Sequence, residues 1–346
     1  MIKAPFPYFG GKARVASLVW SRFGQCRNYV EPFFGSGAML LGRPLPFEGV
    51  ETVNDADGLV ANFWRSIQHD PEATADHADN PVNENDLHAR HAWLVGQKDS
   101  LQARLEGDPE FYDPKVAGWW VWGMSCWIGS GFCSGKGPWH RVQNESGDWV
   151  LSADAEPNRG TWRQLVHLGD AGRGVNRQLV HLGDAGRGVN RKLEDHRASL
   201  FAYFEEIAAR LRHVRVCCGD WTRVMGPTPM LERGSGFTPV AVFLDPPYAD
   251  TAKRAGDLYR VDCESVAHKV REWAVAHGDD PRYRIALCGY DGEHQMPEAW
   301  DCVEGKATTG GGYGNQAKAG YGNAGRERIW FSPHCERVAE PLPLLA

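Results

Sequence analysis

Asn28-Tyr-Val-Glu31-Pro-Phe-Phe-Gly35-Ser-Gly37-Ala38-Met-Leu40 reads as a short apolar strand, a turn holding two glycines, and the opening of a helix. A doubly wound α/β sheet starts with a joint of this kind, because glycines let a ligand approach the backbone at the strand end. A phosphate cradle would add the Lys-Ser/Thr of a P-loop, and Gly37-Ala38-Met39 has none. The joint therefore suits a nucleoside cofactor without a phosphate. The third glycine of a dinucleotide fingerprint is also missing, which weakens an oxidoreductase reading.

Further short apolar runs end in acidic or turn residues, and each is predicted to be a buried strand presenting a polar group at its carboxyl end. They are Gly49 to Val53 before Asn54-Asp55, Val214 to Cys218 before Asp220, Val240 to Leu244 before Asp245, and Arg284 to Cys288 before Tyr290-Asp291. Helical spacing groups Leu59, Val60, Phe63, Trp64 and Ile67, then Leu200, Phe201, Phe204, Ile207 and Leu211, then Val266, Val270 and Trp273. Alternation of this kind predicts a doubly wound sheet with Glu31, Asp55, Asp220, Asp245 and Asp291 along one edge. Two final strands are expected at Asp301 to Val303 and Glu327 to Phe331, joined by the glycine-rich stretch from Gly305, a candidate lid or DNA-contacting loop.

The alternation lapses between about Asp70 and Glu194, so residues 1–69 and 194–346 are read as one domain and 70–193 as an insert. The insert is helical first, over Leu87 to Leu105, and a β-hairpin is expected over Trp139 to Leu151 around a polar turn. Its cluster of Trp119, Trp120, Trp122, Trp127, Phe132 and Trp139 reads as packing rather than base stacking. A fourteen-residue unit, QLVHLGDAGRGVNR, occurs twice in tandem from Gln164 to Arg191, too short and too few for a solenoid. It carries Arg173, Arg177, Arg187 and Arg191 among glycines, as either a phosphate-contacting arm or a plain surface extension.

Composition sets the outer bounds. The 346 residues are 42% hydrophobic and 24% charged, as in globular proteins, which excludes disorder and fibre. No run of eighteen apolar residues occurs and the N-terminus lacks a signal-peptide core, so no membrane partner and a cytoplasmic location are expected. Nine cysteines without a CxxC pair argue for reduced thiols and no metal centre. The net charge of −6 speaks against a nucleic-acid partner only on average, since Arg65 to Lys115 holds eleven acids and five bases whereas Arg159 to Lys192 holds seven bases and two acids.

Asp245-Pro-Pro-Tyr248 is the most informative tetrapeptide. Two prolines remove two N–H donors and leave carbonyls as acceptors, Asp245 adds a carboxylate, and Tyr248 adds a flat ring. Together they suit a planar base bearing an exocyclic amine, although such a tetrapeptide read alone is more often an ordinary turn.

The ordered set Pro7-Tyr8-Phe-Gly-Gly-Lys12, Glu31 to Ala38, Asn54-Asp55, Asp220 and Asp245 to Tyr248 resembles the Dam-type (D12 class) adenine-N6 DNA methyltransferases. Matching blocks cover the first sixty residues and about the last third of the chain, while the insert corresponds in position alone to that family's target-recognition segment. The resemblance implies a Rossmann-like sheet that uses S-adenosylmethionine, with an inserted, mostly helical target-recognition domain, and double-stranded DNA as partner. It implies Asp245, Pro246 and Tyr248 as catalytic residues on N6 of a flipped adenine. Tyr8, Lys12, Glu31, Phe33, Gly35, Gly37, Asp55, Asp220 and Asp245 are expected to bind cofactor, with Lys12 on its carboxylate and Asp220 on its adenine amine. Arg173, Arg177, Arg187 and Arg191 are the expected DNA contacts. Cytosine N4 in DNA, an amine in RNA, and a catalytically silent nucleic-acid-binding regulator stand as alternatives. Restriction–modification, epigenetic marking and phage protection all fit, as do a monomer and a homodimer.

Overall fold

The apolar runs pair into one seven-stranded sheet in the computed structural model, which describes residues 2–6, 8, 12–127, 132–133, 139–143, 149–153, 193–230, 239–248, 266–304 and 326–337. Its strands are β1 (Asn28–Glu31), β2 (Val50–Asp55), β5 (Val214–Cys218), β6 (Val240–Leu244), β7 (Tyr283–Tyr290), β8 (Asp301–Glu304) and β9 (Glu327–Phe331), in the spatial order β5-β2-β1-β6-β7-β9-β8. The five from β5 to β7 are parallel, with Val30 opposite Thr52 on one side and Val242 on the other. Strand β9 enters antiparallel between β7 and β8. This is an α/β architecture with a mixed, mostly parallel sheet, compatible with a Rossmann-like fold.

Strand order follows from burial. All five residues of β6 are buried, as a parallel strand covered on both faces requires, whereas β8 at the sheet edge is largely exposed. The order reverses between β1 and β6, and the crevice beyond the carboxyl ends of those two strands is where such sheets take ligands. The expected strand ends at Glu31, Asp55 and Asp245 therefore meet there. Asp291, just beyond the end of β7, does not: Arg328 Nη2 on β9 lies 3.4 Å from its carboxylate.

Helices cover the sheet for reasons visible in their spacing. In α1 (Ala16–Phe23) the residues Ala16, Val19, Trp20 and Phe23 are buried, and in α3 (Gly58–His69) Leu59, Val60, Phe63, Trp64 and Ile67 are. In α8 (Leu193–Leu211) the buried residues are Leu200, Phe204, Ile207 and Leu211, with Phe201 only partly covered. Val270 and Ala274 are the inner face of α9 (Val266–Gly278), and Trp273 packs at its margin.

Between α3 and α8 run α4 (Pro71–Ala78), α5 (Glu84–Gly96), α6 (Lys98–Gly107) and α7 (Pro114–Cys126). Asp113 caps α7 by accepting from Val116 N–H at 2.9 Å, and Pro114 occupies its first turn. Helix α7 presses on α4 at Gly118, where a Cβ would lie 2.7 Å from the Thr74 carbonyl, so only glycine permits that approach. One apolar cluster runs from α3 and α8 into these helices, and Phe6 joins it with ring centroids 5.3 Å from Phe63 and 4.8 Å from Trp120. Trp120, Trp122, Trp127 and Phe132 are buried in that cluster and Trp119 packs at its edge, as the packing reading expects. The expected hairpin forms from β3 (Trp139–Gln143) and β4 (Trp149–Ala153), antiparallel with Trp139 opposite Ala153. The tandem repeat and the glycine-rich stretch lie outside the described residues.

His91 on α5 is sealed into this layer, stacked on Trp127 with centroids 4.7 Å apart. Burial lowers its pKa to about 4, and nearby His88 adds to the effect. The imidazole is thus neutral in the fold but charges near pH 6.5 once unfolded, so its contribution is whole above pH 6.5 and is lost as the pH falls to about 4. Replacing His91 by Phe should flatten the fall in urea-unfolding free energy across that window, by at most about 3 kcal/mol.

Candidate active site

A cavity of about 390 Å³ opens at the carboxyl ends of β1, β2 and β6. Its floor is the turn after β1. Gly35 has φ +48° and Gly37 φ +68°, both left-handed, which lets the chain double back into α2 (Ala38–Leu41). The turn is pinned by Asp55: one carboxylate oxygen accepts from Gly35 N–H at 2.8 Å, the other from Asp57 N–H at 2.8 Å. Asp57 then caps α3 by accepting from Leu59 N–H at 2.8 Å. Asn54 braces the neighbouring loops, its Nδ2 donating to the carbonyls of Pro32 at 3.1 Å and Gly219 at 3.0 Å.

Tyr8 abuts Gly35 with one edge of its ring, where an added Cβ would sit 2.7 Å from it. Phe33 and Trp221 form an aromatic pair on the cavity wall, with centroids 6.2 Å apart and planes at 29°. Trp221 stands in a 3₁₀ turn, Trp221–Val224, that Asp220 caps by accepting from Thr222 N–H at 2.9 Å.

Beside Asp245 the expected pieces come together differently from the sequence reading. Lys12, expected on a cofactor carboxylate, is buried, with Nζ 3.0 Å from Asp245 Oδ2 and donating to the Tyr248 hydroxyl at 3.0 Å. Tyr248 in turn donates to Asp245 Oδ1 at 3.2 Å. Its ring packs edge-on against Tyr290 with centroids 4.5 Å apart and is not on the cavity wall. Pro246 is absent from that wall and Pro247 present. Gly37 is likewise off the wall, tucked under Phe34 and Trp64, where a Cβ would be 2.9 Å and 3.0 Å from those rings.

The wall does include Tyr8, Lys12, Glu31, Phe33, Gly35, Asp55, Asp220 and Asp245, together with Asp57, Thr222 and Lys269, which the sequence reading missed. Asp57 had a local signal, an acidic residue directly before an apolar helical period. Tyr290 and Glu327, beside Tyr248 and Lys12, were legible as strand ends but not as neighbours: they are register partners across β7 and β9. Burial pushes the Glu327 carboxyl up, offset in part by Lys12. Arg173, Arg177, Arg187 and Arg191 lie outside the described residues.

Glu31 ends β1 at the cavity and is 2% exposed. Tyr29 O–H donates to its Oε2 at 2.8 Å. Burial raises the Glu31 pKa well above the usual carboxylate range; the Tyr29 hydrogen bond opposes the rise, and the charges of Asp245, Glu51 and Asp55 add to it. Among the described residues no group of His, Cys, Asp and Glu is arranged to hold a metal ion.

Compared with known proteins, the chain matches no family model and no curated protein.

The Lys12–Asp245 pair should behave as one unit. Lys12→Met leaves the partly exposed Asp245 carboxylate without its cation and should cost about 1–3 kcal/mol of unfolding free energy. A double-mutant cycle with Asp245→Asn should give a coupling of about 1–3 kcal/mol, and additive effects would show the pair to be uncoupled. Gly35→Ala, strained at its φ and driven into Tyr8, should destabilise the fold by about 1–3 kcal/mol in the same assay.

Proposed function

We propose that the chain is a DNA methyltransferase that carries a methyl group from S-adenosylmethionine to N6 of a flipped adenine in double-stranded DNA. The observation that carries this reading is the wall of the cavity beside Asp245-Pro-Pro-Tyr248: it presents the acids Glu31, Asp55, Asp57, Asp220 and Asp245 against the lysines Lys12 and Lys269. Such a wall repels phosphates and favours a nucleoside with hydroxyl and amine donors and a positive charge.

The residues fit that cofactor. Phe33 and Trp221 offer aromatic faces to a flat base, and Asp220 a carboxylate to its amine. Asp55 and Asp57 retain acceptor capacity for ribose hydroxyls beyond the N–H groups they already hold. When bound, S-adenosylmethionine supplies an electrophilic methyl group. Asp245 would accept from the acceptor amine, with the Pro246 carbonyl as second acceptor, and so keep the nitrogen lone pair available for attack. Lys12, itself on the cavity wall, and Tyr248, off it, hold the Asp245 carboxylate in place. Stacking of the Tyr248 ring on a flipped base requires its contact with Tyr290 to open. Residues 70–193 are assigned to target recognition, with Arg173, Arg177, Arg187 and Arg191 on phosphates.

Tritium from methyl-labelled cofactor should enter duplex DNA and be recovered as N6-methyladenine. Asp245→Ala should abolish transfer while the circular dichroism spectrum is kept. Label on cytosine would move the acceptor, and a chain that leaves DNA unlabelled would overturn the reading. Neutralising the four arginines should flatten the salt dependence of DNA affinity by up to about one unit of slope for each phosphate they neutralise.

A further inference from the structure

The acids of the cavity are not equivalent. Asp55 holds two backbone N–H groups, Asp57 and Asp220 each cap a helical turn, and Asp245 faces Lys12. Glu51, as buried as Glu31 and one strand away on β2, is met by Arg43 at 2.9 Å and Arg210 at 2.6 Å. Glu31 has a phenol. Among the described residues no cation pairs with it, and the groups facing it from its own and adjoining strands are Tyr29, Asp55, Glu51 with its arginines, and Asp245 with Lys12. A carboxyl in that setting stays neutral until a cation arrives from outside the protein.

A donor that hands its methyl group to an acceptor held at Asp245 brings a sulfonium to the side of the cavity where β1 and β6 end. Resting on the methyltransferase reading, we propose that Glu31 distinguishes the cationic cofactor from its neutral thioether product by ionising beside the sulfonium and staying protonated beside the thioether. The exchange is one proton: the Glu31 carboxyl becomes a carboxylate opposite the bound cation, and the proton passes to the buffer. Once the methyl group has left, the sulfur is neutral, Glu31 takes a proton back, and the product has no counter-charge holding it.

Calorimetric titration of the full chain with S-adenosylmethionine and with S-adenosylhomocysteine, each in two buffers of different ionisation enthalpy, counts the protons released. The two ligands share their amino, carboxyl and ribose groups, but the sulfonium also acidifies its own amino group, so the Glu31→Gln chain is the reference for what Glu31 itself contributes. Between pH 6 and 8 up to one additional proton should be released with the sulfonium ligand, and its preference over the thioether should rise with pH by up to about tenfold per unit. Glu31→Gln, which keeps an acceptor for Tyr29, should remove Glu31's share of the proton difference and lower the preference at pH 8 by about tenfold. Proton counts for the two ligands that Glu31→Gln leaves unchanged would overturn the proposal and leave the cofactor reading standing. Failure of both ligands to bind would overturn the two together.

Discussion

The Asp55 carboxylate is the constraint around which the cavity is organised. Through Gly35 N–H it fixes the left-handed turn after β1, and through Asp57 N–H it fixes the start of α3. The same turn carries the Gly35 carbonyl that accepts from Trp64 Nε1 at 2.9 Å, so the floor is tied to the buried face of α3 as well. Charge-assisted bonds to two N–H groups on separate elements leave little freedom to either. Tyr8, Phe33 and the end of β1 inherit their positions from that arrangement.

Charge in this molecule is handled in two ways. Deep in the sheet, Glu51 with Arg43 and Arg210 is a fully answered cluster, roofed by Phe47 at 4.0 Å and 4.8 Å from the two guanidinium carbons. At the carboxyl edge acids outnumber cations, and backbone N–H groups hold most of them in place. An answered buried charge does structural work alone; an unanswered one remains responsive to whatever enters the cavity.

Much of this could be read from the residues in order. The strands β1, β2, β6 and β7 were legible because a parallel strand covered on both faces is an apolar run ending in a polar group, with β6 the clearest case; β5, at the edge and half-exposed, keeps the same run less strictly. Glu31, Asp55, Asp220 and Asp245 converge because strand ends converge in any such sheet. What lay beyond reading was side-chain direction. Lys12 follows two glycines and is expected on a cofactor carboxylate, yet it reaches Asp245 across 233 positions of chain, a pairing that no local spacing reveals. Tyr248 reads as a free flat ring for the same reason, and Tyr290 with Glu327 depends on β9 pairing antiparallel with β7.

That last strand has a consequence for how the molecule comes into being. Strand β9 is interior to the sheet although it follows β8 in the chain, and among the described strands β8 has no neighbour until β9 arrives. A nascent chain lacking residues 327–331 presents β7 with one open edge and β8 with two, surfaces on which strands of other chains can pair. Glu327 arrives with the same strand, so closure of the sheet and completion of the charged group beside Asp245 are one event.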